Sequence, residues 1–184
     1  MLGLVIRPPR SQYPSDSDIT LTQTYGGIPC KRMNFLIKNE KNENLQCCLT
    51  TPANVEEGTK RPCVVYMHGN AGNKHEGNSY ADVLLPLGLD LLAFDFSGCG
   101  NSEGQWVTLG WKEKDDLKAV LKHLNTLGKT SKVALWGRSM GGSTALMFDR
   151  EQSPLPITSM VVDSAFADFS DVATNLVVSK MGVP

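Results

Sequence analysis

The sequence lacks an excess of charge of either sign. Its 184 residues carry 18 basic and 19 acidic side chains, which gives a net charge of −1. Nucleic acids and anionic membrane surfaces attract proteins through clustered positive charge, so this balance favours neither partner. The partners must therefore be inferred from specific sites, and the charge balance leaves the oligomeric state open.

The spacing of the cysteines carries no disulfide or metal signature. The number of cysteines is odd, two are adjacent, and no pair has CxxC spacing: Cys30, Cys47, Cys48, Cys63 and Cys99. This usage is typical of reduced thiols and predicts a cytoplasmic protein without a metal site. The opening stretch "MLGLVIRPPR" is too short an apolar run for a signal peptide or a membrane span, so we expect no targeting segment.

Short apolar runs begin at Pro62 and alternate with amphipathic segments. Four near-continuous runs predict strands that are covered on both faces: 62–68, 89–96, 132–137 and 157–163. Three further segments have helical spacing: 76–87, 110–127 and 139–150. This alternation predicts an α/β fold with a mostly parallel sheet and helices on both faces. The charged run 111–118 predicts a solvated helix face.

The N-terminal part of the sequence follows a different pattern. Residues 33–38 and 44–52 flank a polar stretch and predict an antiparallel pair of strands. Residues 1–32 are rich in Pro, Ser, Asp and Gly and have no sustained period, which predicts an irregular lead-in. We therefore divide the chain into a lead-in, 1–32, and one α/β domain, 33–184.

Unusual residues follow every predicted parallel strand. "HGNAGN" follows the first, "DFSGCGNSEG" the second, "GRSMGG" the third and "DSAF" the fourth. Ligands of such sheets bind at the carboxyl ends of the strands, so we expect the four loops to meet at one edge. The glycine-rich loops match neither the dinucleotide nor the P-loop spacing, and no cofactor is expected.

The third loop contains a serine between two glycines. Gly137-Arg138-Ser139-Met140-Gly141 follows a strand and opens a helix, the context of a nucleophile elbow. Side chains at Gly137 and Gly141 would collide with the neighbouring strand or helix, because the turn is tight. The alternative interpretation is that Ser139 only caps the helix.

The first loop favours the nucleophile interpretation. His68-Gly69-Asn70 follows the first parallel strand, where a second oxyanion donor is expected. We predict an oxyanion hole formed by the backbone N–H groups of Asn70 and Met140. His68 and Gly69 are expected to shape this loop.

Together these segments resemble the α/β-hydrolase superfamily, in particular its serine aminopeptidase-like (S9/S33-like) branch. The resemblance spans roughly 62 to 169 and lies in "PCVVYMHGNAGN", "LLAFDFSGCGNSEG", "VTLGWKEKDDLKAVLKHL", "VALWGRSMGGSTALM" and "VVDSAFADF". It implies a small-molecule, acyl or peptide substrate with an ester, thioester or amide bond. It also implies an acyl-enzyme on Ser139 and a triad in the chain order serine, acid, histidine.

The sequence departs from that pattern because no histidine follows Ser139. Its three histidines are His68, His75 and His123. We therefore expect a fragment of a longer hydrolase that lacks the last two strands of the sheet, the histidine and the usual acid. Asp163 is a candidate acid, and the alternative is that it shapes its loop or caps a helix.

Two functional hypotheses follow from the sequence. The first is a serine hydrolase with Ser139 as nucleophile, and the second is a non-catalytic α/β-hydrolase-like protein used for binding or interaction. Peptidase, lipid-thioesterase and small-ester activities are all open. Trp106 and Trp111 line an acyl pocket in one interpretation and pack in the core in the other, which we favour.

Overall fold

A seven-stranded mixed sheet organises the chain. The computed structural model describes residues 7, 9–15, 20–166 and 168. The stretch "FADFSDVATNLVVSKMG" predicts a further helix, which lies almost entirely outside these residues. The strands are β1 Thr20–Tyr25, β2 Ile28–Lys38, β3 Asn44–Pro52, β4 Arg61–Met67, β5 Asp90–Phe94, β6 Thr130–Arg138 and β7 Ile157–Asp163. They lie in the order β1-β2-β3-β5-β4-β6-β7.

The sheet combines an antiparallel and a parallel half. The first half of the sheet contains β1, β2, β3 and β5, and each of these strands is antiparallel to the next. The second half contains β5, β4, β6 and β7, and each of these strands is parallel to the next. The four predicted parallel strands and the predicted antiparallel pair are all present. Among the described residues β7 is an edge strand, and its Val161 and Val162 are exposed.

The prediction of an irregular lead-in over 1–32 is wrong for residues 20–32. β1 and the beginning of β2 lie there and form a hairpin through Gly26 and Gly27. Both glycines have positive φ, 53° and 80°, as two-residue hairpin turns require. The stretch "TLTQTYGGIP", with two glycines after β-branched residues, carries the signal that would have predicted this hairpin.

Helices cover both faces of the sheet. They are a 3-10 helix at Lys74–Tyr80 that continues into α1 at Ala81–Leu84, then α2 at Glu113–Leu127, α3 at Met140–Met147 and a second 3-10 turn at Arg150–Gln152. Each predicted helix is present, with different bounds. α2 ends at Gly128, which has φ 69° and so adopts the left-handed conformation that stops a helix. No helix in the described part of the chain is long and apolar enough to cross a membrane.

Two hydrophobic clusters pack against the sheet, one on each face. Val65 and Met67 of β4 belong to the cluster beneath α2 and α3, and Val64 and Tyr66 belong to the cluster beneath α1. Successive side chains of a strand point to opposite faces, so a strand covered on both faces must be apolar at every position. All five cysteines are also buried and unpaired.

Truncating a core leucine of α2 is expected to destabilise the protein. Leu121 is fully buried in the larger cluster, and Leu121→Ala should lower the free energy of unfolding by about 2–5 kcal/mol because it removes buried methyl groups and leaves a cavity. Urea unfolding measures the change. Leu87→Ala is the matched control, since Leu87 is 68% exposed, and an equal loss in both variants would contradict the prediction.

The predicted solvated face of 111–118 is wrong for two of its carboxylates. Glu113 and Asp116 are buried. Asp116 accepts hydrogen bonds from the Asn39 side chain and the Ser97 N–H, both at 2.8 Å. Helical spacing shows which residues share a face, but it does not show that a loop from another part of the chain covers that face with N–H donors.

The burial of Asp116 predicts a pH-dependent stability. Burial raises its pKa to about 7, outweighing the hydrogen bonds from Asn39 and Ser97. The pKa is therefore higher in the folded state, so its contribution to stability is full below about pH 4 and is lost as the pH rises through 7. The contribution of Asp116 to the free energy of unfolding should therefore fall between about pH 4 and pH 7, by up to about 1.4 kcal/mol per pH unit.

Unfolding in urea at a series of pH values measures this dependence. Asp116→Asn should remove the fall, whereas Asp115→Asn, a partly exposed neighbour on the same helix, should retain it. A pH dependence of stability from pH 4 to pH 7 that is the same in wild type and in Asp116→Asn would contradict the prediction.

Candidate active site

Ser139 occupies a strained turn between a strand and a helix. β6 ends at Arg138 and α3 begins at Met140, and Ser139 between them has φ 51° and ψ −114°. A positive φ is unfavourable for a residue with a side chain, so surrounding contacts must hold it. The Ser139 N–H donates to the Asp163 carbonyl at 2.7 Å, and the Ser139 carbonyl accepts from the Ser143 N–H at 3.0 Å. The strand, turn and helix thus lie where the sequence predicts them.

The two glycines of the turn have no room for a side chain. A Cβ atom on Gly137 would lie 2.2 Å from the Gly141 carbonyl, and one on Gly141 would lie 2.2 Å from the Met67 carbonyl oxygen. The start of α3 therefore packs directly on the backbone at the end of β4. This contact brings the loop after β4 beside Ser139.

Within the described part of the chain, neither predicted oxyanion donor has an acceptor. Met140 is the first residue of α3, where a backbone N–H has no partner within the helix. Asn70 lies in the loop after β4, which turns through a hydrogen bond from the Gly72 N–H to the Gly69 carbonyl. Among the described residues, no group accepts from the N–H of Asn70 or Met140. The buried side-chain carbonyl oxygen of Asn70 is also without a hydrogen-bond partner there.

His68 connects two loops at this edge. It is fully buried, and its Nε2 accepts from the Phe96 N–H at 3.1 Å. Nδ1 therefore carries the proton and donates to the Gly69 carbonyl at 2.7 Å. Burial lowers the pKa of His68, which favours this neutral form. Both ring nitrogens are engaged, so His68 has no free nitrogen to accept a proton from Ser139.

The other two histidines interact with β2. Nδ1 of His75 lies 3.0 Å from the guanidinium of Arg32, and His123 stacks on Phe35 at 5.1 Å between ring centroids. Three strands, β3, β5 and β4, separate β2 from β6. None of the three histidines of this chain is hydrogen-bonded to Ser139.

Asp163 supports the elbow through its backbone. Its carbonyl accepts from Ser139, while its carboxylate is exposed and accepts from the Ser164 hydroxyl at 2.7 Å. A role for Asp163 as the acid stays a prediction.

Sequence reasoning left Arg138 without a role, and the structure gives it a partner. Its Nε and Nη2 atoms donate to the two carboxylate oxygens of Glu76 at 2.6 and 2.7 Å. The Tyr66 hydroxyl donates to the same carboxylate at 2.6 Å. Burial raises the pKa of Glu76, but the hydrogen bonds from Arg138 and Tyr66 outweigh it and bring the pKa below its ordinary value. No sequence pattern joins two polar residues that lie 62 positions apart.

An N-terminal segment crosses the loops at this edge. The Tyr13 hydroxyl donates to Asp95 at 2.6 Å, and the Asn73 side chain donates to the Ser11 carbonyl at 2.9 Å. Arg10 donates to the Ser102 carbonyl at 2.7 Å. Residues 9–15 therefore tie the loop after β4 to the loop after β5, which the composition of the lead-in did not indicate.

The prediction that Trp106 and Trp111 pack in the core is wrong. Their exposed fractions are 45% and 65%. The guanidinium of Arg7 lies 3.6 Å from the Trp106 ring centre, and the Lys114 ammonium lies 4.0 Å from that of Trp111. A cation therefore lies over one face of each ring.

The sequence profile of the α/β-hydrolase fold matches residues 62–184. The chain belongs to this family. Protein YqkD of Bacillus subtilis is 29% identical over 59% of this chain and 36% of its own length. The lysophosphatidylserine lipase ABHD12 of Gallus gallus is 28% identical over 62% of this chain and 31% of its own. This α/β-hydrolase chain thus spans about a third of the length of these curated relatives.

A solved structure confirms the fold. The Pyrococcus furiosus esterase Pf2001 superimposes with a TM-score of 0.73 at 24% identity, and the alignment covers 98% of this chain and 64% of the esterase. The α/β-hydrolase fold predicted from the order of the motifs is therefore confirmed. The assignment to the serine aminopeptidase-like branch stays a prediction.

A side chain at Gly141 is expected to disrupt the elbow. Gly141→Ala places a methyl group against the Met67 carbonyl, so α3 must move away from β4. We expect a loss of at least about 1–3 kcal/mol in the free energy of unfolding, as for an overpacked core. Thermal or urea denaturation measures it.

Ser143→Ala is the matched control for Gly141→Ala on the same helix. The Ser143 hydroxyl is buried without a partner, so its removal should leave stability unchanged or raise it. If Gly141→Ala were no less stable than Ser143→Ala, the close packing of α3 on β4 would be refuted.

Proposed function

We propose that this α/β-hydrolase chain carries the nucleophile and oxyanion hole of a serine hydrolase. The observation that supports the proposal is the strained backbone of Ser139, held at φ 51° at the start of α3. Such strain costs free energy and persists where a fold uses the geometry. A helix-capping role does not account for it, since the Ser139 side chain makes no capping hydrogen bond.

The proposed reaction is acyl transfer to Ser139. The hydroxyl oxygen attacks the substrate carbonyl, the hydroxyl proton passes to a base, and a tetrahedral oxyanion forms. When the intermediate collapses, the bond to the leaving alcohol, thiol or amine breaks, and the leaving group takes the proton. Water then releases the acid by the same sequence of steps.

The unpaired N–H groups of Asn70 and Met140 are suited to stabilise the oxyanion. Donors that are already oriented before the reaction need no reorganisation as charge develops. Met140 adds the positive end of the α3 dipole to its own hydrogen bond. Together they give the developing negative charge two donors from two different loops.

We propose that the base is a histidine from outside these 184 residues. General-base catalysis requires the base within hydrogen-bond distance of the hydroxyl. His68 uses both ring nitrogens, and His75 and His123 interact with side chains of β2. This assignment accords with the expectation that the sequence is a fragment of a longer hydrolase.

The preferred substrate class is a carboxylic ester. One relative is a lysophosphatidylserine lipase and the compared solved structure is an esterase. Each alignment covers only part of the related protein. A carboxylic ester as the substrate of this chain is therefore our proposal. Thioesters and amides follow the same chemistry with a different leaving group.

Labelling with a fluorophosphonate tests this proposal. Imidazole added to the solution would supply the missing base, so the wild-type chain should be phosphonylated once, faster with imidazole than without it. Ser139→Ala should remove the label. Intact mass spectrometry measures the extent of labelling.

Ser143→Ala controls for loss of the fold, since Ser143 lies one helical turn from Ser139, and this variant should label like wild type. Equal labelling of Ser139→Ala and wild type would overturn the assignment of Ser139. A folded wild-type chain that stays unlabelled with imidazole present would favour the non-catalytic binding hypothesis.

A further inference from the structure

A half-buried ion pair joins the two loops that carry the oxyanion donors. Arg138 directly precedes Ser139, and Glu76 lies in the 3-10 helix that follows the loop of Asn70. Their side chains meet in a two-point contact, with N···O distances of 2.6 and 2.7 Å. Two parallel hydrogen bonds between a guanidinium and a carboxylate fix orientation as well as distance.

The backbone of the Asn70 loop packs directly on this pair. A Cβ atom on Gly69 would lie 3.0 Å from the Arg138 guanidinium, and one on Gly72 would lie 2.8 Å from the Glu76 carboxylate. The loop therefore contacts the pair through Gly69 and Gly72, which lie on either side of Asn70 in the sequence and have no side chains. A shift of either charged side chain would leave the loop without its support.

A third contact anchors the pair to the sheet. The Tyr66 hydroxyl donates to Glu76 at 2.6 Å, and Tyr66 is fully buried in β4. β4 lies next to β6, which ends at Arg138. The carboxylate of Glu76 is thus held from both strands that lead into the site.

We infer that Arg138 and Glu76 are positioning residues that set the separation of the Asn70 and Met140 N–H groups. This inference rests on the proposed function. Arg138 fixes the end of β6 and hence the start of α3, while Glu76 supports the loop of Asn70. Glu76 occupies the Nε–Nη2 edge of the guanidinium, and we assign Arg138 to positioning the donors and not to binding the substrate.

The inference predicts a specific kinetic pattern. A displacement of about 1 Å between catalytic groups can cost about 10²-fold in rate. Loss of the pair should therefore slow phosphonylation of Ser139 at saturating probe by at least about tenfold. The probe concentration at half-maximal rate should stay unchanged, because the probe itself does not contact the pair.

Three variants test the geometry of the pair. Glu76→Gln and Arg138→Gln remove one charge each, and Arg138→Lys keeps the charge but lacks the planar fork. All three should lower the maximal labelling rate, and the double variant Glu76→Gln/Arg138→Gln should be no slower than the slower single variant. Glu40→Gln is the control, because it breaks the exposed pair with Lys118 at a distant helix.

A readout that needs no reaction accompanies the kinetics. The backbone amide resonances of Asn70 and Met140 should both shift in Arg138→Lys and Glu76→Gln, and both should keep their wild-type positions in Glu40→Gln. Wild-type labelling rates in Arg138→Lys would overturn the inference, since charge alone would then suffice. A changed half-maximal concentration with an unchanged maximal rate would also overturn it and assign the pair to substrate binding.

The labelling kinetics and the amide resonances together separate this inference from the proposed function. If the wild-type chain is not labelled, the proposed function fails. The resonances of Asn70 and Met140 then decide whether the ion pair positions the two loops. If the wild type is labelled and neither the Asn70 nor the Met140 amide resonance shifts in the variants, the positioning role fails while the proposed function stands.

Discussion

The whole carboxyl edge of the sheet depends on how closely the start of α3 approaches the end of β4. Gly141 packs on the carbonyl of Met67 with no space for a methyl group, and Gly137 packs on Gly141 in the same way. Two chain segments whose backbones touch cannot be separated by side chains, so Ser139 and the loop of Asn70 are brought together by backbone contact alone. The positive φ of Ser139 is a consequence of this approach, because only a sharp turn connects β6 to a helix so close to β4.

Buried carboxylates hold the loops around that contact. Asp95 accepts the N–H groups of Lys74 and Asn101, and Glu113 accepts those of Thr108 and Gly110. These loops leave the sheet and lose its ladder of hydrogen bonds, so their buried N–H groups need other acceptors. A carboxylate offers two oxygens and binds donors from two positions at once. The loops are thereby fixed without regular secondary structure, which leaves their backbones free to face a ligand.

The sequence predicts the elements that repeat a pattern and misses the contacts that join distant residues. β4 and β5 could be predicted because burial on both faces requires apolar residues at nearly every position. β6 and β7 have similar apolar runs, although β7 is mostly exposed among the described residues. Gly137 and Gly141 could be predicted because a tight turn restricts residue type locally. The pair of Arg138 and Glu76 could not, because each residue alone reads as an ordinary surface charge and only the fold places them together. Burial of Asp116 was missed for the same reason.

The positions of the histidines separate two requirements of the proposed reaction, which are binding of the carbonyl oxygen and removal of the Ser139 proton. The strained turn at Ser139 and the two N–H groups without an acceptor are properties of the described residues. In the proposed reaction the N–H groups would bind the carbonyl oxygen without any proton transfer. Removing the Ser139 proton is a separate requirement, and His68 cannot meet it because its two nitrogens are engaged in joining the loops. Freeing His68 would release Phe96 and Gly69 and so disturb the donors that it supports. In the proposed reaction the same histidine could therefore not both hold the two loops together and act as the base, because both of its ring nitrogens are engaged between Gly69 and Phe96.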